Sequence, residues 1–102
     1  MAGGSQKRRP FLIVSHDAFN RNERYPTVMV VHLTSIHRIG DFPWEVEFRR
    51  GEAGLPVASV AKCGEIYTLL KNDLTEMLGT ARTEVMQQVD RALATALGLR
   101  VI

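Results

Sequence analysis

Lys7-Arg8-Arg9 stand in a row directly before Pro10 and a short apolar run. Three cations beside a rigid element can hold a phosphate, and a guanidinium can do so with two parallel donors. A basic run this short also has the composition of an ordinary solvated surface. His32 and Thr34 are two residues apart, so on an extended strand they point the same way. Ser35 and His37 follow closely. An imidazole titrating near neutral pH suits acid–base work, and a hydroxyl can donate to a phosphate or a developing oxyanion. The same residues also describe a hydrogen-bonded histidine at the rim of a core. His32 and His37 are five apart and fall on opposite faces of a strand, so they do not make a metal-ligand pair. Asp17 beside His16 adds only composition, and no metal or other cofactor is expected. Glu65 and Tyr67 share a face of the strand that contains Cys63. Glu65 becomes a candidate general base if partly desolvated. Cys63 reads as a small core residue rather than a nucleophile.

The elements that must position these groups follow from periodicity. Phe11–Val14 is a short apolar strand, and His16–Pro26 reads as a polar loop. Thr27–Ile36 is the strongest strand, with Met29, Val31 and Leu33 on one face. Val28 and Val30 lie on the other, which turns polar at His32 and Thr34. Trp44–Arg49 alternates, placing Trp44, Val46 and Phe48 inward. Gly51, Gly54 and Pro56 mark a turn. Ser59–Leu70 is a further strand in which Gly64 signals a bulge or a close backbone approach. Leu74–Leu78 is a short apolar piece closed by Gly79. Val85, Met86, Val89, Ala92, Leu93, Ala96 and Leu97 follow a 3.6-residue spacing, which predicts a helix over about 83–97. Thr80 or Thr83 would cap it, and Gly98 would end it with Leu99 in a C-cap contact. Short strands followed by one terminal helix make an α+β domain, mainly antiparallel β, with the shape of a small, partly closed barrel.

The 102 residues carry a formal charge of +2 with 24% charged side chains, enough for one core and too few for two. Residues 1–50 hold eight Lys/Arg against five Asp/Glu, and the remainder five against six, so positive charge is concentrated toward the N-terminal half. Residues 1–9 are expected to be a mobile basic arm, and 10–102 a single domain. One cysteine excludes an intrachain disulfide framework and fits a reducing, cytoplasmic setting. No apolar run is long enough to span a membrane, and the first residues have no signal-peptide core.

In order along the chain, the segments resemble the MazF/PemK toxins of type II toxin–antitoxin systems. Arg9-Pro10 followed by 11–20 is similar to the family's "RPVLVVSND-FN" stretch. The strand ending Leu33-Thr34-Ser35 is similar to its "-IT(S)" strand. Gly54-Leu55-Pro56 with Ser59–Thr68, then Leu78-Gly79-Thr80, and then Met86–Leu99 resemble its later landmarks. The resemblance runs from about Gly4 to Leu99. It implies an SH3-like (CcdB/PemK-type) barrel with a C-terminal helix. It also implies a homodimer, inhibition by a cognate antitoxin, and metal-independent cleavage of single-stranded RNA to a 2′,3′-cyclic phosphate and a 5′-hydroxyl. By the same resemblance Arg9 and Thr34 are the catalytic pair; the proton carrier stays open among His16, His32 and Glu65 on their own chemistry. Lys7, Arg8, His16, Asn20, Ser35 and Tyr67 are then candidate RNA contacts. Two departures stand out. The family's acidic-Gln-Ile-Arg run is replaced by Gly64-Glu65-Ile66-Tyr67, which bears on base preference. Its usual opening strand, "RG-IW-VD", has no counterpart here, so an unpaired barrel edge and a weakened enzyme are expected. The alternatives are a non-catalytic member that binds antitoxin or RNA, and a gyrase poison of the CcdB type.

Overall fold

β2 (Thr27–Ser35) and β4 (Ser59–Leu70) form the central antiparallel pair of a four-stranded sheet. β1 (Phe11–Ile13) adds to β2 and β3 (Glu45–Phe48) to β4, giving the order β1-β2-β4-β3 with β1 and β3 at the edges. The structure is a computed structural model that describes residues 8–35 and 42–99. Ile36, His37 and Lys7 lie outside the described residues, as does most of the N-terminal arm.

The sheet has two chemically different faces. One carries Leu12, Val31, Leu33, Val46, Phe48, Ala61 and Cys63, and packs against Val85, Val89 and Ala92 of α2 (Thr83–Leu97). This is the core, and burial of these side chains is its main source of stability. On the opposite face of β2 lie Val28 and Val30, both buried, followed by His32 and Thr34, both half-buried. Met29, expected with Val31 and Leu33, is 36% exposed and takes no part in the core cluster.

β4 changes character halfway. Val31 pairs with Ile66 and Leu33 with Ala61, so four residues of β4, 62–65, stand opposite the single residue His32. This is a large bulge, and bulges bend a strand and re-aim its side chains. As far as Cys63, within the bulge, Ser59, Val60, Ala61 and Cys63 are buried; from Gly64 onward, residues 64–68 are exposed. Gly64 sits inside the bulge because a Cβ there would lie 2.9 Å from Cδ1 of Trp44. The indole lies over this backbone and stacks on Phe42 with ring centroids 5.1 Å apart. Trp44 is therefore not a core residue as its alternation predicts; it is 37% exposed, just before β3 begins.

Three local expectations are also corrected. The loop after β1 contains a short helix, α1 (Asp17–Arg21), whose first turn is capped by Nδ1 of His16 accepting the Ala18 N–H at 2.9 Å. Five residues are too few to show a helical period. At α2 neither Thr80 nor Thr83 caps. Arg82 occupies the cap position, and its N–H donates to the Glu52 carboxylate from a distant turn at 2.8 Å. At the other end, Gly98 adopts φ 70° while Leu99 N–H and Gly98 N–H close back on Ala94 and Thr95. Ala96, Leu97 and Leu99 are exposed, so the inward face of α2 that the spacing predicts stops short of its last turn. Residues 74–82 have no regular secondary structure.

Candidate active site

Pro10 fixes the approach to β1, and its carbonyl accepts Leu33 N–H at 3.2 Å. That bond brings Arg9 beside the end of β2. Thr34 and Ser35 close that strand, and the turn at Glu52–Gly54 returns the chain so that Leu55, Pro56 and Val57 face them. Together these segments enclose an open cleft of about 270 Å³, lined by Arg9, Pro10, His32, Thr34, Ser35 and the 55–57 wall, among others. The cleft thus holds one guanidinium, one imidazole and two free-standing hydroxyls. Such a set can bind and charge-balance a phosphate and move a proton. Among the described residues, no group of three His, Cys, Asp or Glu converges as a metal site.

His32 is held from two sides. Its ring lies 4.7 Å from that of Phe11, its cross-strand partner, and 4.8 Å from Tyr67 in an edge arrangement. Aromatic contacts of this kind fix ring orientation without consuming the imidazole nitrogens. Tyr67 in turn donates its hydroxyl hydrogen to Oε1 of Glu65 at 3.4 Å. Glu65 and Tyr67 therefore lie beyond His32 on the same sheet face and do not line the cleft.

The other sequence candidates are placed elsewhere. Arg8 pairs with Glu76 at 2.7 Å, both exposed. His16 uses its Nδ1 to cap α1. Both ends of the Asn20 amide are engaged with Ser15: Nδ2 donates to the Ser15 carbonyl at 3.0 Å, and Oδ1 accepts from Ser15 Oγ at 2.6 Å. Ser15 Oγ also accepts Met29 N–H, so Asn20 locks the loop onto β2. Phe11 and the 55–57 wall were not anticipated. Their roles depend on strand register and on a turn some twenty residues away, and neither leaves a local pattern.

The cleft's charge pattern, its position at the end of β2 and the surrounding fold can be compared with known proteins. Residues 2–97 match the model of the PemK-like, MazF-like toxins of type II toxin–antitoxin systems. The chain belongs to this family. It is 37% identical over 98 residues to endoribonucleases of the MazF type from Mycobacterium tuberculosis and Mycobacterium bovis, spanning 94% of this chain and 85% of theirs. An endoribonuclease from a mycobacterial species, solved with its cognate antitoxin, superposes with a TM-score of 0.79 at 33% identity, covering 96% of this toxin and 88% of that chain. MazF of Deinococcus radiodurans gives 0.70 at 29% identity, covering 97% and 86%. The fold of this toxin is accordingly the CcdB/PemK type, an antiparallel half-barrel closed by a C-terminal helix. No helix among the described residues is long and apolar enough to cross a membrane.

Proposed function

We propose that this toxin is an endoribonuclease that cuts single-stranded RNA by using the ribose 2′-hydroxyl as nucleophile, with no metal cofactor. The observation that carries the reading is the meeting of Arg9, His32 and Thr34 in one cleft. In the reaction the 2′-oxygen bonds to phosphorus and the bond to the 5′-oxygen breaks. The products are a 2′,3′-cyclic phosphate and a 5′-hydroxyl. Arg9 meets the extra negative charge on the phosphoryl oxygens, and Thr34 Oγ–H donates to a non-bridging oxygen. His32, in its protonated form, supplies the hydrogen that the leaving 5′-oxygen needs. The 2′-hydroxyl's hydrogen passes to solvent at the open mouth of the cleft. Ser35 steadies the neighbouring phosphate, while the positive charge of Lys7 and Arg8 adds long-range attraction for the RNA backbone.

The toxin acts in the cytoplasm as a homodimer and is silenced by an antitoxin. Support comes from the antitoxin-bound mycobacterial relative and from the apolar side chains left exposed on the sheet, among them Ile13, Met29 and Leu70. The basic N-terminal half favours an acidic partner segment that folds on binding.

Incubation with a long single-stranded RNA, with and without EDTA, tests the chemistry. Arg9→Ala and Thr34→Ala should each lower the rate on the order of 10²–10³-fold in folded protein. Activity that disappears in EDTA, or that survives Arg9→Ala, would overturn the mechanism. Light scattering that reports a monomer at tens of micromolar would remove the dimer.

A further inference from the structure

Glu65 poses a question that the cleavage chemistry leaves open. Its carboxylate is exposed and lies on the same sheet face as His32 and Thr34, one aromatic ring beyond the cleft. Among the described residues no cation pairs with it. A free carboxylate beside a path for RNA repels phosphates, so it contributes to binding only by accepting hydrogens from a base. Tyr67 stands next to it with 41% of its surface exposed, enough ring for a base to stack on. The Tyr67 hydroxyl holds only Oε1, and at the long distance of 3.4 Å, so among the described residues Oε2 has no partner and Oε1 retains accepting capacity.

We propose that Glu65 and Tyr67 form a base-reading subsite, in which a guanine next to the scissile phosphate stacks on Tyr67 and presents its Watson–Crick edge to the Glu65 carboxylate. The inference rests on the endoribonuclease reading above. The choice of base follows from donor geometry. In single strands the Watson–Crick edges are open to protein. Guanine places two donors, N1–H and N2–H, side by side, and these match the two oxygens of one carboxylate. Adenine and cytosine each offer one exocyclic amine with a ring-nitrogen acceptor beside it, which faces the second oxygen with like polarity. Uracil has a single donor between two carbonyls. Glu65 therefore acts in base selection and not as a proton carrier, and Tyr67 supplies the platform.

The same geometry predicts a switch. Glu65→Gln replaces one oxygen by an amine, giving the donor–acceptor pair that complements a ring nitrogen with an exocyclic amine beside it, as adenine and cytosine both present. The side chain is exposed, so the substitution should not disturb the core.

The test uses the full chain and a randomised pool of single-stranded RNAs, with the cut junctions sequenced. Wild type should enrich guanine at one position adjacent to the cut on the order of ten- to a hundredfold, as expected for a bidentate base contact. Glu65→Gln should move that enrichment to adenine and cytosine. Tyr67→Phe should keep the guanine preference, and Tyr67→Ala should raise KM more than it lowers kcat. No guanine enrichment in wild type, or an unchanged profile in Glu65→Gln, overturns the subsite while leaving the nuclease intact. If wild type cuts nothing, the nuclease reading fails, and a second measurement decides the subsite. Fluorescence anisotropy of wild type and Glu65→Gln with short oligoguanylate-containing and oligoadenylate-containing strands must show the same exchange of preference. Equal binding of both strands by both proteins overturns it.

Discussion

The backbones of Gly54 and Gly79 cross so closely that neither position can carry a side chain. A Cβ on Gly54 would run into the Leu78 carbonyl, and one on Gly79 would lie 2.7 Å from the Ala53 carbonyl. Gly54 also has φ 76°, which side-chain-bearing residues rarely adopt. Since Leu55 to Val57 form one wall of the cleft, this crossing fixes that wall against residues 74–82. Gly79→Ala should destabilise by about 1–3 kcal/mol through overpacking against backbone that cannot yield. Gly51→Ala is the control, because Gly51 has φ 91° and nothing within 4 Å, so it carries conformational strain alone. Thermal denaturation of the two variants separates the effects, and Gly79→Ala should also lower RNA cleavage by displacing the wall.

Glu52 joins that same turn to α2. Its side chain is 6% exposed, and its Oε1 accepts from Arg82 Nε at 2.7 Å. Hydrogen bonds from the Arg82 backbone and then its side chain hold the Glu52 carboxyl below its ordinary range. A carboxylate whose folded pKa is depressed stabilises the fold above its unfolded pKa, and that contribution is lost as pH falls through the folded value. Melting temperature measured between pH 7 and pH 3 should therefore fall less steeply for Glu52→Gln than for wild type. At pH 7 the variant should melt lower, since the cap of α2 loses its charged acceptor.

Burial pushes the Cys63 thiol up to about 11. Only the thiolate reacts, so Cys63 in native protein at pH 8 should resist iodoacetamide and react on denaturation. The neutral thiol is favoured in the fold, so its stabilising effect is full below the ordinary thiol pKa and fades as pH rises toward 11. Mass spectrometry of alkylated native and unfolded protein reads this directly. Rapid native labelling would show that the first half of β4 opens.

Lys71 fastens the loop that follows α1. Its ammonium donates to the carbonyls of Phe19 at 2.5 Å and Asn22 at 2.8 Å, close to the end of α1. Lys71→Met should release those carbonyls at a cost of about 1 kcal/mol. Hydrogen exchange should accelerate at the Asn22 and Tyr25 amides, which close this loop, while the β2–β4 ladder remains protected.

The parts of this fold readable from sequence are those with a repeating signal. The alternation of β2 and the 3.6-residue spacing of α2 both set which residues face the core, and Gly64 marked the bulge in β4. The parts that escaped are set by distant partners. Trp44 fits the inward pattern of Val46 and Phe48, yet its ring covers the gap that Gly64 leaves. α2 is capped by Glu52, thirty residues away, so no local capping residue was required. At the candidate site, residue chemistry singled out Arg9, His32 and Thr34, and only the fold gathers them into one cleft. The flanking of His32 by Phe11 and Tyr67 depends on register across three strands, which the residues of β2 alone do not encode.

The bulge in β4 has a consequence for how this toxin can diverge. Core residues are confined to the strand's first half, which pairs with β3 and packs toward α2, whereas residues 64–68 are exposed. Apart from Gly64, which lies under the Trp44 indole, and Tyr67, which flanks His32, substitutions in that second stretch meet few packing constraints, and exposed positions away from special contacts typically shift stability by less than about 0.5 kcal/mol. A lineage can therefore alter the chemistry displayed there while the cleft and the hydrophobic interior drift slowly. Mutational tolerance and core packing are assigned to opposite halves of one strand.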